Sequence, residues 1–242
     1  MNMKVKRPIG IFSGIIALCL MNPAIQAGSI KGKVVFDGIS PAPKEVAVKS
    51  DTSVCGTHQK IPAVVVGDSG GIRFAVVRLL AGSSALPKPK PADGSLDQIQ
   101  CQFEPHAQIV PVGSKLVITS SDAVLHNAHG FDEKGETLFN IAVPVKGMKV
   151  AVELKKPGRI KLRCDAGHNW MIGYIIVAEH PYYAVTDTTG SFELKDVPAG
   201  AYTVEVWQEN MRVQQQKVTV ADDGTADLKF TFSESSLSKA KK

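Results

Sequence analysis

The sequence predicts an all-β protein built from two β-sandwiches. Short runs rich in β-branched residues, each bounded by Gly, Pro or Asp, recur along the chain. The 3.6-residue periodicity of a long amphipathic helix is missing. From Val185 onward the runs become regular strand–turn–strand units, which marks a second, smaller sandwich.

The N-terminus comes first. Lys4, Lys6 and Arg7 precede an apolar run from Ile9 to Leu20, and Ala24-Ile25-Gln26-Ala27 offers a small residue for cleavage near Ala27. This is the pattern of a secretory signal peptide over residues 1–27, so a periplasmic protein is expected. The run is short for a membrane span, and no second stretch approaches that length, so the mature chain has no transmembrane segment. Leu18 stands before Cys19 where a lipoprotein box has Gly or Ala, which argues against a lipid anchor. Loss of the leader takes the 28 basic residues to 25 against 23 acidic ones, a net charge of +2. Lys239, Lys241 and Lys242 lie in a tail, 236–242, that reads as disordered. A nearly neutral body does not suit nucleic acid as a partner.

Ile30 to Phe36 alternates as a strand, and Ile72–Leu80, Lys115–Ser120, Lys149–Leu154, Arg159–Cys164 and Tyr174–Ala178 follow as further strands. Ala81 to Asp97 interrupts them with Pro87-Lys88-Pro89-Lys90-Pro91 and Asp93-Gly94, a surface loop rather than a central strand. Beyond Val185, Thr186 to Leu194 and Val197 to Val204 are turn-and-strand units. Gln216–Val220 and Ala226–Phe232 flank the turn Asp222-Asp223-Gly224.

One segment carries specific chemistry. Cys164-Asp-Ala-Gly-His168-Asn-Trp-Met171 places a thiol, an imidazole and a thioether close together, and His126-Asn127 on an upstream loop supplies a second imidazole. Two His, one Cys and a weak axial Met form the set that suits copper in both oxidation states. Each residue also has a plainer reading, since Met171 and Trp170 can be core residues and a buried Cys can be inert. Cysteine counting sharpens the choice. Four cysteines become three when Cys19 leaves, and an exported chain tends to pair them. The economical solution is a Cys55–Cys101 disulfide with Cys164 left for a metal. The rival is a second metal site around Cys55-Gly-Thr-His58, with Cys101 and His106 as its only further donors. His129 is the alternative to His126 as upstream ligand.

From Pro105 to Ala178 the chain resembles the cupredoxins. Ser121-Asp122-Ala123-Val124-Leu125-His126-Asn127 is similar to the first-ligand stretch of that family, and Cys164 to Met171 to its ligand loop between the last two strands. The resemblance implies a Greek-key β-sandwich holding one copper ion on His126, Cys164, His168 and Met171. It also implies that Asn127 ties the two ligand loops together, and that His168 presents a solvent-facing edge with Trp170 near the docking patch. The Cys-x-x-x-His-x-x-Met spacing is shared with a binuclear copper loop. That loop needs a further cysteine at position 160, where this chain has Ile160, so a mononuclear site is expected. From Val185 to Phe232 the chain resembles the carboxypeptidase-regulatory, or prealbumin-like, domains, through Thr186-Asp187-Thr188-Thr189-Gly190-Ser191-Phe192 and Val197-Pro198-Ala199-Gly200-Ala201-Tyr202. That implies a non-catalytic accessory sandwich. The resulting division is a copper domain at 28–178, with its ligand core at 105–178, and an accessory domain at 179–235. Strands from 28–50 could complete the latter, because Gly28-Ser29-Ile30-Lys31-Gly32 resembles its opening strand.

The function expected is that of a periplasmic one-electron carrier with a type 1-like copper, passing electrons between redox partner proteins of the cell envelope. Copper binding and delivery, or an envelope binding module with a vestigial site, are the alternatives. An enzyme is not expected. Copper oxidases and reductases need further centres with several more His ligands than six histidines allow. No Ser-His-Asp, paired-carboxylate or phosphate-loop pattern stands out.

Overall fold

The computed structural model describes residues 27–67, 69–80 and 86–238; the expected leader through residue 26, Cys19 included, residues 81–85 of the proline-rich stretch and tail residues 239–242 lie outside the described residues. The regular structure of the described residues is almost entirely strand, arranged as two sandwiches. Among the described residues no helix is long and apolar enough to cross a membrane.

The first sandwich is built around the strand Ala27–Phe36. Its alternation buries Ile30, Val34 and Phe36 and leaves Lys31 and Lys33 outward. It lies between Ser191–Pro198, antiparallel, and Thr225–Phe232, parallel. The facing sheet runs in the order Tyr183–Val185, Val76–Leu80, Gly200–Trp207, Gln214–Val220. Ile30, Val34, Leu79, Val204, Phe230 and Phe232 share one core between the two sheets.

The second sandwich packs the sheet Lys149–Glu153, Lys115–Thr119, Gly94–Ile99, Gln102–Glu104 on the sheet Thr137–Val143, His126–Phe131, Gly158–Arg163, Ile172–Ala178, Ala107–Pro111. Leu96, Phe103, Leu116 and Ile118 from one sheet meet Leu162 and Ile175 from the other in a separate core. A hairpin, Lys44–Ala47 with His58–Ile61, carries the short helix Thr52–Cys55 at its tip, and Val48 and Cys55 pack into this second core.

The chain therefore divides differently from a cut between 178 and 179. Ala27–Phe36 satisfies its backbone on both edges with C-terminal strands, and Val76–Leu80 is an interior strand of the accessory sheet. The second sandwich is an insertion between two neighbouring antiparallel strands, Val76–Leu80 and Tyr183–Val185, which pair Arg78 with Tyr183. Three smaller corrections have local causes. The run Ile72–Leu80 breaks into Ile72–Arg73 and Val76–Leu80, because Phe74 takes a left-handed φ of 67°. Gly94–Ile99 is a strand paired parallel to Lys115–Thr119 at the end of the proline-rich stretch. Residues 236–238 are fastened rather than disordered: Arg212 donates its backbone N–H to Ser236, Ser238 to Asn210, and Leu237 packs on the first core.

Gly190 shows how closely the N-terminal strand is held. It has φ 73°, its carbonyl accepts from the N–H of Val34, and a Cβ there would lie 2.1 Å from the Val34 carbonyl oxygen. Gly190→Ala should lower the urea midpoint by the equivalent of about 1–3 kcal/mol from backbone strain alone, and more if the strand shifts. An unchanged midpoint would contradict the pairing of the N-terminal strand with the accessory sandwich.

Candidate metal centre

Strand pairing brings the ligand-type residues to one rim. His126–Phe131 and Gly158–Arg163 are antiparallel neighbours, with His129 opposite Arg163, so His126 and Cys164 emerge together just past the paired stretch. Gly158–Arg163 then pairs with Ile172–Ala178, Arg163 opposite Ile172. The intervening loop, 164–171, folds back over the rim. Gly167 adopts φ 94°, and the Met171 N–H donates to the His168 carbonyl at 2.9 Å. His126 thus opens a strand rather than sitting on a loop, because its backbone pairs with Val143.

Nδ1 of His126 lies 3.0 Å from Nδ1 of His168, and Sγ of Cys164 lies 3.9 Å from the first and 3.7 Å from the second. Both imidazoles are 0 % exposed and Cys164 is a free, buried thiol. Met171, at the end of the same loop, is fully buried in the same core. The far nitrogens are occupied. His126 Nε2 is 2.9 Å from Asp122 Oδ2, and His168 Nε2 is 3.0 Å from Asp51 Oδ2. A carboxylate accepts only, so each Nε2 carries a proton and donates it; in a neutral ring Nδ1 is then the nitrogen with a lone pair, and it faces inward.

Two lone pairs and a sulfur, aimed at one point in a dry core, fit a metal ion. A first-row ion with bonds of roughly 2.0 Å to imidazole nitrogen and 2.3 Å to thiolate sulfur, in a trigonal plane, sets N···N near roughly 3.5 Å and N···S near roughly 3.7 Å. The measured separations of 3.0, 3.7 and 3.9 Å agree with that triangle to within about half an ångström. The donor set of two imidazoles and a thiol is soft, unlike the all-oxygen set of a hard-ion site.

The surroundings hold this geometry. Asn127 Oδ1 accepts from the backbone N–H of Asp165, and its Nδ2 donates to Asn140 Oδ1 at 2.7 Å, so Asn127 ties the His126 strand to the Cys164 loop. Trp170 donates its indole N–H to the Cys101 carbonyl at 3.0 Å, with its ring 5.3 Å from that of His168. His129, the alternative ligand, points away and is engaged by Asp165 and by Thr137 Oγ1. Cys55 and Cys101 are joined to each other, so Cys55-Gly-Thr-His58 does not form a second site here. His106 pairs with Glu209 of the accessory sandwich at 2.9 Å and links the two bodies.

One expectation is overturned. His168 has no solvent-facing edge, because Asp51 and the tip of the 44–61 hairpin cover it. Asp51 was not among the residues singled out from sequence. It stands 117 residues from its partner, and no local pattern links the two. Asp122 was visible within the first-ligand stretch, four residues before His126, although its role was not.

Burial, opposed by the hydrogen bond from Asp122, lowers the proton affinity of His126 below the ordinary imidazole value. Burial raises Cys164 above the ordinary thiol value, so the metal-free protein holds a thiol there and needs a cation to stabilise the thiolate. The signs give a stability window. His126, depressed, contributes stability that is present above about pH 6.5 and lost as pH falls through its folded value. Cys164, raised, contributes stability that is present below about pH 9.0 and lost as pH climbs through its folded value. Metal-free protein should be most resistant to urea between those limits, and Cys164→Ser should remove the alkaline loss while leaving the acid one.

Comparisons place these observations among known proteins. The family model of the carboxypeptidase regulatory-like domain matches residues 171–233. That span omits Ala27–Phe36 and Val76–Leu80, which complete the same sandwich in space. No curated protein matches the chain. Similar solved structures include a purple cupredoxin from Nitrosopumilus maritimus, 24% identical, TM-score 0.32, over 36% of this chain and 100% of that one. Amicyanin from Paracoccus versutus is 14% identical, TM-score 0.32, over 42% of this chain and 97% of that one. A copper-containing nitrite reductase from Thermus scotoductus is 22% identical, TM-score 0.31, over 42% of this chain and 25% of that one. At such scores these likenesses carry no weight for the centre, which rests on its own donor atoms.

Proposed function

We propose that the chain is an exported, mononuclear copper protein that carries single electrons between envelope proteins. The observation that supports it is the buried triangle of His126 Nδ1, His168 Nδ1 and Cys164 Sγ, with both far nitrogens locked by carboxylates. Copper in such a donor set supplies one-electron exchange between two states that accept the same geometry. The chain supplies the rest. Asp122 and Asp51 fix the tautomers, Asn127 holds the two ligand loops in register, and Met171 offers a thioether from the end of the ligand loop. Trp170 and the core close the site to water, which limits rearrangement around a change of charge.

The buried His168 leaves Trp170 as the side chain that connects the ligand loop to a surface. Trp170 lines a groove of about 440 Å³ with Phe74, Phe103, Tyr174, Glu209 and Asn210. The last two come from the accessory sandwich, which gives that domain a part in shaping the face a partner would meet. This groove, rather than a histidine edge, is the proposed route for the electron.

Copper loading tests the reading. The protein should take up one copper per chain and show an intense visible thiolate-to-copper band. Cys164→Ser should abolish the band, and His126→Ala should cost at least about tenfold in copper affinity. A chain that binds no copper, or a band that survives in Cys164→Ser, sinks the proposal.

A further inference from the structure

The disulfide and the candidate metal centre are parts of one closed frame. On one side, Asp122 Oδ2 takes His126 Nε2 and also accepts the backbone N–H of Cys101 at 2.8 Å, while Asp122 Oδ1 accepts that of Gln100 at 2.8 Å. On the other side, Asp51 Oδ2 takes His168 Nε2, and the Asp51 carbonyl accepts the N–H groups of Val54 and Cys55 at 2.9 and 2.8 Å. Cys55 and Cys101 are then bonded to each other. Each histidine is thus tied through one aspartate to one half of the same disulfide, Asp122 by its carboxylate alone and Asp51 by its carboxylate and backbone carbonyl. The two sulfurs and a His168 ring nitrogen all lie within 4.8 Å of one another, so the disulfide packs directly against that ring.

The covering segment has few other fastenings to the body beneath. Val48 pairs with Thr57 across its own base, Gln102 Nε2 donates to Gln59 Oε1, and Val48, Val54 and Cys55, with Val46 and Ile61 of the hairpin beside them, supply its apolar contact with the core. Asp51 itself sits at φ 55°, a left-handed conformation held by the turn that places its carboxylate on His168.

We propose that residues 48–57 form a disulfide-stapled lid over the metal centre, in which Asp51 is the positioning residue for His168 and the Cys55–Cys101 bond sets access to that histidine. This deepens the copper reading and rests on it for the identity of the metal, but the lid stands on contacts present without one. With the staple closed, His168 is reached neither by solvent nor by a competing ligand. With it open, the segment is kept in place by one carboxylate–imidazole bond and a small apolar patch, and the outer edge of His168 becomes accessible. Metal exchange is then slow in the oxidised chain and fast in the reduced one.

The first test needs no metal. Metal-free chain is treated with diethyl pyrocarbonate, and labelling of each histidine is read by mass spectrometry, with exposed His58 as the reference. Three samples are compared: untreated protein, Asp51→Ala, and protein reduced with a trialkylphosphine. In the last, the S–S bond gives two thiols as the phosphine takes oxygen from water. His168 should be protected in untreated protein and label at least about tenfold faster in the other two, with His126 still protected, as expected of a local opening. Equal labelling of His168 in all three samples overturns the lid, and so does His126 rising in step with His168, which would report general unfolding. The second test uses copper-loaded protein and a copper(I) chelator. Reduction and Asp51→Ala should each speed release, in line with the roughly 10- to 100-fold loss of affinity typical when an orienting partner is removed. Release at the untreated rate overturns the lid's control of exchange. Failure to bind copper defeats the functional reading and leaves the labelling result to decide the lid.

Discussion

Two imidazole nitrogens that face each other across 3.0 Å in a buried core set the terms for everything around them. With both rings neutral and protonated on Nε2 the arrangement is unfavourable: two acceptors oppose each other, and a thiol that resists ionisation stands alongside. Turning either ring would relieve the opposition. Asp122 and Asp51 prevent that by occupying the outer nitrogens, so the conflict is kept and a cation is the group that resolves it. A histidine pair packed only for stability would instead exchange a proton and satisfy each other. The carboxylates are what give a buried polar cluster fixed donor atoms of defined direction.

That constraint explains the division of labour between the sandwiches. The ligand rim depends on the register of His126–Phe131, Gly158–Arg163 and Ile172–Ala178, and a slip of one residue would turn His126 away. The accessory sandwich grips this body at both ends of the insertion, through adjacent strands Val76–Leu80 and Tyr183–Val185. It adds side contacts from His106 to Glu209, Tyr174 to Trp207 and Arg159 over Trp207. Both chain ends of the inserted body are therefore fixed on one sheet. The accessory sandwich holds the inserted one at both of its ends rather than hanging from it on a linker.

What the sequence disclosed follows from how local each signal is. Cys164, His168 and Met171 share one loop, and their spacing survives as a pattern along the chain. The odd cysteine pointed to the Cys55–Cys101 pair by counting, which needs no geometry. The all-β class and most strands with apolar alternation were legible for the same reason. His126–Phe131 was not read as a strand, because His-Asn-Ala-His-Gly-Phe lacks the apolar run that marks one, and its pairing is enforced by neighbours. The membership of Ala27–Phe36 and Val76–Leu80 was only partly visible, since parallel and antiparallel partners about 200 and 100 residues away leave no local trace. Asp51 was hidden for the same reason. Its relation to His168 exists only after a hairpin from one end of the chain has folded over a loop from the other.

The lid changes which properties of the centre go together. An electron carrier gains from a rigid donor set that neither state can relax, whereas a copper-delivery protein needs an open coordination edge through which the ion is handed on. In this chain the inner nitrogens face one another and Cys164, the outer ones are held by carboxylates, and the segment bearing one of those carboxylates is bonded covalently to the other side of the frame. Each fastening lowers the freedom of the same few atoms. Rigidity of that kind serves exchange of electrons and opposes exchange of the ion itself. The proposed carrier role is therefore supported by the closure of the site as much as by its donor atoms, and delivery would require the frame to be opened first.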